Sequence, residues 1–534
     1  MTTPQGTAFM SMLAISPPAI AIAGFLANWS IITKVPLAVT TICGLIYAWL
    51  LYRGVYQYFT SPLRNLPTPR GATFWMGHAI ESIKAVPPGN VEIKWMKEVP
   101  NDGLIVFHGY FHMYYNLAVT TPETIMEVLN THAADWIKPP EGAGFLERLI
   151  GRGLVVAEGS EHREQRKNVT PAFSGRVIKD LVPLFWSKGV SLAQTIIREA
   201  STNDSVVEIT EVASRATLDI IGSAGLGKDF ATLENADHEL AQSYSLIMDT
   251  KRGGLIKVFL LHQILPFSDW LAPKIPIEAN ARIHKATANL RRITKELLAE
   301  KRQDLEEKSV EQKDIIATLM RSGKFTDDGL TNQLLTILAA GHETTAAALT
   351  WASYLLGKHI DVQDRLREEC RAICGRLDAD EITAEVIDSM PYLEAVCNEV
   401  LRLYPPVTAT SRRNIRDTRI GDQFIPKGSN VVLSPWAINR ASSMWGPDAA
   451  EFHPDRWLGD KNGGATSPFA FLTFLFGPRS CIGMSFAKYE LKCLVATLLM
   501  HTDLRLKKPD EIPIPSGIIT IKPKEGLELI VKAI

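Results

Sequence analysis

Apolar positions recur at three- and four-residue spacing along most of the chain. That period predicts helices over Glu123–Ala134, Glu161–Val169, Pro183–Ala200, Ile209–Gly225, Ala279–Glu307, Thr331–Gly357, Val362–Cys374, Pro391–Leu403 and Ile482–Met500. Two of them open with proline at the first helical position, where its missing N–H costs nothing. Short strand signals fall at Leu104–Phe107, Leu117–Thr120, Thr418–Phe424, Asn430–Leu433 and Leu527–Lys532. There is no internal repeat and no low-complexity tract, and the charged run Lys301–Lys313 reads as a solvated helix end and loop. The pattern predicts a mainly α fold over 71–534: a large helical domain with a long central helix and a smaller β-rich part.

The N-terminus breaks this pattern. No charged residue precedes Lys34, and no acidic residue precedes Glu81. Two apolar stretches lie here, Ala8–Ala27 and Val35–Tyr52. The second, as a helix, reaches about 27 Å, the thickness of a bilayer core. The expectation is a retained membrane anchor over 1–52, with a span at 35–52 and a possible second span at 8–28 that Pro17 and Pro18 weaken. Ala21-Ile22-Ala23 resembles a signal cleavage site, but the usual basic leader region is absent. Arg53, Arg64 and Arg70 place the following domain on the cytoplasmic side. Prolines 62, 67 and 69 make 53–70 a stiff hinge.

Composition excludes more than it identifies. The chain has 534 residues, 46% of them hydrophobic, with 57 basic against 58 acidic side chains. This balance fits a folded protein with a large core and removes the electrostatic footprint of a nucleic-acid binder. Six cysteines are too few for a disulfide scaffold. Cys370 and Cys374 lack two further ligands for a closed zinc site, Cys43 lies in the anchor, and Cys397 and Cys493 read as packing thiols.

Two segments carry candidate chemistry. Thr331–Leu356 spans about 39 Å and is apolar on nearly every face, yet its middle reads Ala340-Gly341-His342-Glu343-Thr344-Thr345. A carboxylate there is costly without a purpose or a partner, and Gly341 with Thr344 invites a local break in the helix. Near the C-terminus comes Phe474-Leu475-Phe476-Gly477-Pro478-Arg479-Ser480-Cys481-Ile482-Gly483. The glycines Gly477 and Gly483 allow backbone close to a flat ligand, and Arg479 offers a fork for a carboxylate. Cys481 begins an apolar helix, where amides and positive charge favour a thiolate.

In this form the sequence resembles the cytochrome P-450 superfamily, haem-thiolate monooxygenases, over essentially all of residues 60–534, and most closely its fungal, membrane-bound members. Four motifs agree in order and spacing: the cysteine loop, the Glu343-Thr344 acid–alcohol pair, Glu399-Val400-Leu401-Arg402, and Phe452-His453-Pro454-Asp455-Arg456-Trp457. The resemblance implies Cys481 as axial ligand of haem b (iron protoporphyrin IX), held also by Phe474, Gly477, Arg479 and Gly483. It implies a Glu399–Arg402–Arg456 ion network behind the haem, and Gly341 leaving room at the haem face. His162 and Arg166, four apart on one helix face, fall where the family reaches a haem propionate, His162 standing at the position where many members have Trp. Arg412 matches another propionate-contacting position.

The implied activity is insertion of one atom of O2 into a lipophilic small molecule, with Glu343 and Thr344 relaying protons. Only 53 residues follow Cys481, too few for a flavin or nicotinamide domain. Electrons from NADPH are therefore expected through a separate NADPH–cytochrome reductase, with Arg163, Arg166 and Lys167 among the docking groups. The implied setting is the endoplasmic reticulum membrane, with the catalytic domain facing the cytoplasm, in fungal secondary metabolism. Val258–Trp270 is either core or a second surface touching membrane lipid. Two rivals are a haem-thiolate isomerase or dehydratase needing no O2, whose relatives tend to lose the acid–alcohol pair, and a non-enzymatic haem sensor.

Overall fold

A computed structural model of the chain describes residues 31–73, 76–109, 115–248, 254–265, 267–307 and 314–534. The possible span at 8–28 lies outside these residues. The helices of eight residues or more are α1 (Ile31–Thr60), α2 (Asn90–Glu98), α3 (Pro140–Ile150), α4 (Gly159–Val169), α5 (Val182–Thr202), α6 (Ile209–Leu226) and α7 (Glu239–Met248). They continue with α8 (Gly254–Ile264), α9 (Glu278–Glu307), α10 (Ile315–Ser322), α11 (Asp327–Lys358), α12 (Ile360–Cys374), α13 (Pro391–Leu403) and α14 (Met484–His501).

Helix α1 runs eight residues past the expected end of the anchor, so the proline-rich connector starts at Ser61 and not at Arg53. Within α1, Val39–Tyr56 is long and apolar enough to cross a membrane. The connector is pinned to the domain: Val106 N donates to the Pro67 carbonyl at 2.8 Å, and His78 Nε2 lies 3.0 Å from the Pro69 carbonyl.

The β-rich part is built on β1 (Leu104–His108), β2 (Tyr115–Val119), β3 (Trp136–Ile137), β4 (Val206–Glu208), β5 (Thr410–Asn414), β6 (Thr418–Ile420), β7 (Gln423–Ile425) and β8 (Asn430–Leu433). It ends with β9 (Thr502–Leu506), β10 (Pro515–Ser516), β11 (Lys522–Pro523) and β12 (Glu528–Ala533). The main sheet has the order β1-β2-β8-β5-β3, and a smaller one the order β4-β12-β9. The stretch expected as one strand over Thr418–Phe424 folds back at Gly421, whose φ of 57° suits a tight hairpin.

Helix α11 organises the core. Thr326 caps its start, accepting from Gly329 N at 3.1 Å, and Asp327 and Asp328 lie at the positive end of its dipole. It packs along α6 and against α14, and α5 packs on α14. Their buried side chains form one continuous hydrophobic cluster, with a second cluster under the main sheet. The expected break at Gly341 is absent: α11 is helical without interruption from Asp327 to Lys358. Thr344 Oγ1 donates to the Ala340 carbonyl at 2.8 Å, a bond that the helix accommodates without opening.

Candidate active site

The cysteine loop is a tight turn ahead of α14. Leu475 and Gly477 both take positive φ, 54° and 71°, and Cys481 N donates to the Phe474 carbonyl at 2.8 Å. A Cβ on Gly477 would collide with the Leu129 carbonyl, so this position requires glycine. Helix α14 begins at Met484, two residues after the expected Ile482, so Cys481 stands in the loop before it and not on its first turn. Cys481 is accessible, whereas Cys370, Cys374, Cys397 and Cys493 are buried. Burial pushes the Cys374 thiol up to about 11 and that of Cys397 to about 12, which suits packing and not ligation. At Cys481 desolvation also raises the thiol, and the Gly483 backbone N–H and the Arg166 guanidinium offset it only in part, so without a metal the loop does not by itself favour the thiolate.

Arg166 reaches the cysteine loop. Its Nη1 donates to the Ser480 carbonyl at 2.6 Å, so the side chain braces the cysteine loop itself. Arg166 is long enough to cross from α4 to the loop, and the carbonyl before Cys481 has no strand or helix partner to occupy it.

A cluster of positive charge lies beside the loop. Arg479 pairs with Glu158, and Lys138 reaches the same carboxylate with its backbone N at 2.9 Å and its Nζ at 3.2 Å. Arg412 is buried, donating to Thr410 Oγ1 and the Ser411 carbonyl. Burial, reinforced by the Arg479 charge, lowers the Arg412 guanidinium to about 10. Burial, with Arg412 nearby, lowers Lys138 to about 8. Buried His162 falls to about 4, first from desolvation and then from Arg479 and Lys138. Lys138, Arg412 and Arg479 thus share one acid, Glu158, and every shift says that a further anion would stabilise the cluster. Haem propionates supply such an anion, so these residues and the accessible Cys481 fit the group. Lys138 escaped the sequence reading, because a lone lysine before Pro139-Pro140 carries no motif.

Between Gln333 and Gly357 on α11, Ala340 is exposed and Gly341 and Thr344 are half-buried, while every other residue is buried. These three residues mark the open face of the helix. A Cβ at Gly341 would come within 2.8 Å of Ile221, so the missing side chain also serves the approach of α6. Glu343 is 3% exposed. Its Oε2 lies 2.8 Å from Lys522 Nζ, its Oε1 accepts from Ser214 Oγ at 3.3 Å, and the same oxygen is 3.2 Å from His342 Nε2. Burial alone would raise the carboxyl, but Lys522 and His342 outweigh it and hold Glu343 well below the usual range.

Behind the loop, Glu399 and Arg402 are fully buried. Arg402 Nε and Nη2 donate to the two oxygens of Glu399 at 2.8 Å each, and Arg456 Nε donates at 3.0 Å. Glu399 accepts further from His453 N and Trp457 Nε1, both at 2.9 Å. Desolvation raises this carboxyl, and the Arg402 hydrogen bonds and charge more than reverse it. Asn439 ties the network to the cysteine loop, accepting from Leu472 N at 2.8 Å and donating to Thr473 Oγ1 at 2.8 Å.

The family profile of cytochrome P450 matches residues 72–530. The chain is 42% identical to the cytochrome P450 monooxygenase sphH of Aspergillus fumigatus, covering 91% of each chain. It is 34% identical to the cytochrome P450 monooxygenase FUM15 of Gibberella moniliformis, covering 85% of each. It is also 34% identical to the cytochrome P450 monooxygenase ALT8 of Alternaria alternata, over 93% of this chain and 94% of that one. With an accessible cysteine in a braced loop and an anion-seeking cluster beside it, the chain belongs to the cytochrome P450 family, fungal type, and is an oxygen-incorporating oxidoreductase.

Proposed function

We propose that this cytochrome P450 is a membrane-anchored monooxygenase that inserts one oxygen atom into a lipophilic small molecule of fungal secondary metabolism. NADPH supplies the electrons through a separate reductase at the endoplasmic reticulum. The observation that carries the reading is the accessible Cys481, held by Arg166 and the Phe474 carbonyl beside the Lys138–Arg412–Arg479 cluster. In it Cys481 would supply the thiolate that holds the haem iron, and Arg479, Arg412, His162 and Lys138 would hold the propionates. Haem with a thiolate ligand supplies the oxygen chemistry, since the thiolate favours O–O cleavage.

This chain's residues do the rest. The Ala340–Thr344 face borders the reacting oxygen, and the Thr344 hydroxyl holds a proton there. Glu343 is the acid that exchanges protons with that face. Glu399, Arg402 and Arg456 act on folding, fixing the segment that carries Cys481. Helix α1 anchors the domain with its basic connector toward the cytoplasm. Phe267 and Trp270, 87% and 65% exposed, give a second contact with lipid, while Val258 on the same segment is buried in the core.

The test is incubation of microsomes containing the protein and a reductase with fungal metabolite pools under ¹⁸O2. NADPH-dependent gain of one labelled oxygen is expected. Conversion that proceeds without NADPH or oxygen would instead favour an isomerase or dehydratase.

A further inference from the structure

Helix α4 carries His162 and Arg166, yet its sequence Gly-Ser-Glu-His-Arg-Glu-Gln-Arg-Lys-Asn-Val has a single large apolar side chain, Val169. His162 and Val169 are its buried residues. Apolar burial, which scales with the area removed from water, therefore does little to hold this helix. Its placement has to come from polar side chains. Among the described residues, two side-chain hydrogen bonds join α4 to distant elements. One runs from Arg166 Nη1 to the Ser480 carbonyl at 2.6 Å. In the other, Gln333 Nε2 of α11 donates to Gln165 Oε1 at 2.8 Å.

Gln333 is 1% exposed, and a buried amide is costly unless both its ends are bonded. Its Oε1 accepts from Leu154 N at 3.2 Å. A backbone N–H can only donate, so the amide is fixed with its oxygen toward Leu154 and its nitrogen toward Gln165. Gln165 Nε2 donates back to Glu161 Oε1 on its own helix at 3.2 Å, which leaves its oxygen for Gln333. The chain entering α4 is seated on the same stretch of α11. Thr336 Oγ1 donates to the Ile150 carbonyl at 3.3 Å, and a Cβ on Gly153 would collide with Thr336 and the Asn332 carbonyl. One amide thus ties both the approach to α4 and its middle to the core helix.

We propose that Gln333 is a positioning residue that sets where α4 stands and acts, through Arg166, on the loop that carries Cys481. Gln165 and Arg166 are neighbours and point about 100° apart around the helix. Helix α4 is therefore gripped from two sides, by α11 at Gln165 and by the cysteine loop at Arg166. Without the first grip the helix is free to shift. The Arg166 bond tolerates little displacement, since such bonds are lost beyond about 3.5 Å. Gln333 stands two turns before Ala340, so the helix that bears the open face also holds the brace of the cysteine loop. The inference rests on the reading of Cys481 as the residue that holds the haem iron.

The experiment uses the full haem-loaded chain in microsomes, reduced under carbon monoxide. The readout is the rate at which the red-shifted Soret band converts to the ordinary position. Gln333→Leu and Gln165→Met should each convert several-fold faster than the natural protein. Thr336→Val frees the Ile150 carbonyl but leaves α4 tethered, so it should convert at the natural rate. The double variant Gln333→Leu/Arg166→Met should be no faster than Arg166→Met alone, because Gln333 acts through Arg166. Effects that multiply in the double variant would show a general loosening and overturn the proposal. If Gln333→Leu fails to hold haem, Gln165→Met, at a half-buried position, carries the same test. Hydrogen exchange of the same holoprotein gives a second reading. Amides 163–169 should exchange several-fold faster in Gln165→Met while those of α14 keep their protection, and natural protection of 163–169 would overturn the tether. A natural protein without the red-shifted band would overturn the Cys481 reading. A band that is present and equally persistent in Gln333→Leu and Gln165→Met would overturn this inference alone.

Discussion

Arg166 donates from Nη1 to the Ser480 carbonyl at 2.6 Å, one residue before Cys481. A charged donor on that carbonyl fixes the backbone that aims the thiol and places positive charge beside the sulfur. Hydrogen bonds to charged groups contribute about 1.5–3 kcal/mol. Arg166→Met should therefore leave a folded domain whose carbon monoxide complex converts readily from the thiolate form to one with an ordinary Soret position. Absorbance during storage of the reduced carbonyl complex checks this, and a variant as persistent as the natural protein would contradict the bracing role.

Glu399 accepts from Arg402, Arg456, His453 and Trp457, with no water-exposed surface. Glu399→Ala leaves Arg402 buried and uncompensated, at a cost of about 3–5 kcal/mol. Low expression and loss of haem are expected, read as haem per protein and as the thermal midpoint. A fully loaded variant of natural stability would show that the network is dispensable.

The pH dependence has a definite sign. Folded His162 is lowered to about 4, against about 6.5 when unfolded, so between these values the unfolded chain binds the additional proton. Stability of the haem-free protein should fall as pH drops from about 6.5 toward 4. Glu399 and Glu343 are lowered in the folded state, so their contribution is present above about 4.3 and is lost as pH falls below it. Glu92, Glu490, His262 and His359 are also shifted in the folded state. The His162 share is therefore the difference between the natural protein and His162→Gln in urea unfolding at pH 7 and pH 5, and the variant should gain less stability from pH 5 to pH 7. An unchanged slope would remove His162 as its source.

Much of this architecture is legible along the chain. Helix α13 has the boundaries that Pro391 and the apolar period predict, and α11 stands out because hardly any polar residue interrupts it. Strand β5 was not legible, because Thr-Ser-Arg-Arg-Asn has no apolar alternation and owes its form to pairing with β8 and β3. Helix α8 was ambiguous because it is apolar on all sides, which leaves no face to assign. In the site, the residues within motifs were readable, while their partners were not. Lys522, Lys138 and Ser214 reach Glu343 and Glu158 only through tertiary contact, and nothing local distinguishes them. Arg166 was placed on the right helix face, but its bond to the Ser480 carbonyl was not legible, since the direction of a long side chain depends on the loop opposite.

Thr344 separates proton delivery from packing. Its hydroxyl bonds the Ala340 carbonyl on the open face of α11, and Thr344→Val keeps the shape. Haem content and the carbon monoxide spectrum should be unchanged, while product per NADPH falls roughly 10²-fold if protonation becomes limiting. Product and peroxide measured against NADPH consumed give the answer. Equal losses in product and NADPH oxidation would point to substrate binding instead.

Removal of residues 1–60 deletes α1 and should release much of the protein from membranes with haem binding retained. Phe267 and Trp270 should keep part of it bound, and replacing both by serine should release that part. Sedimentation with microsomes measures both steps, and full retention after both changes would exclude these surfaces as the membrane contacts.

The claim that Cys481 ligates haem iron is tested most directly by the reduced carbon monoxide spectrum. The natural protein, Cys370→Ala and Cys374→Ala should each show the red-shifted Soret band of thiolate ligation, because the latter two thiols are buried and lie on α12. Cys481→Ala should lose that band entirely. Its persistence in Cys481→Ala would contradict the account.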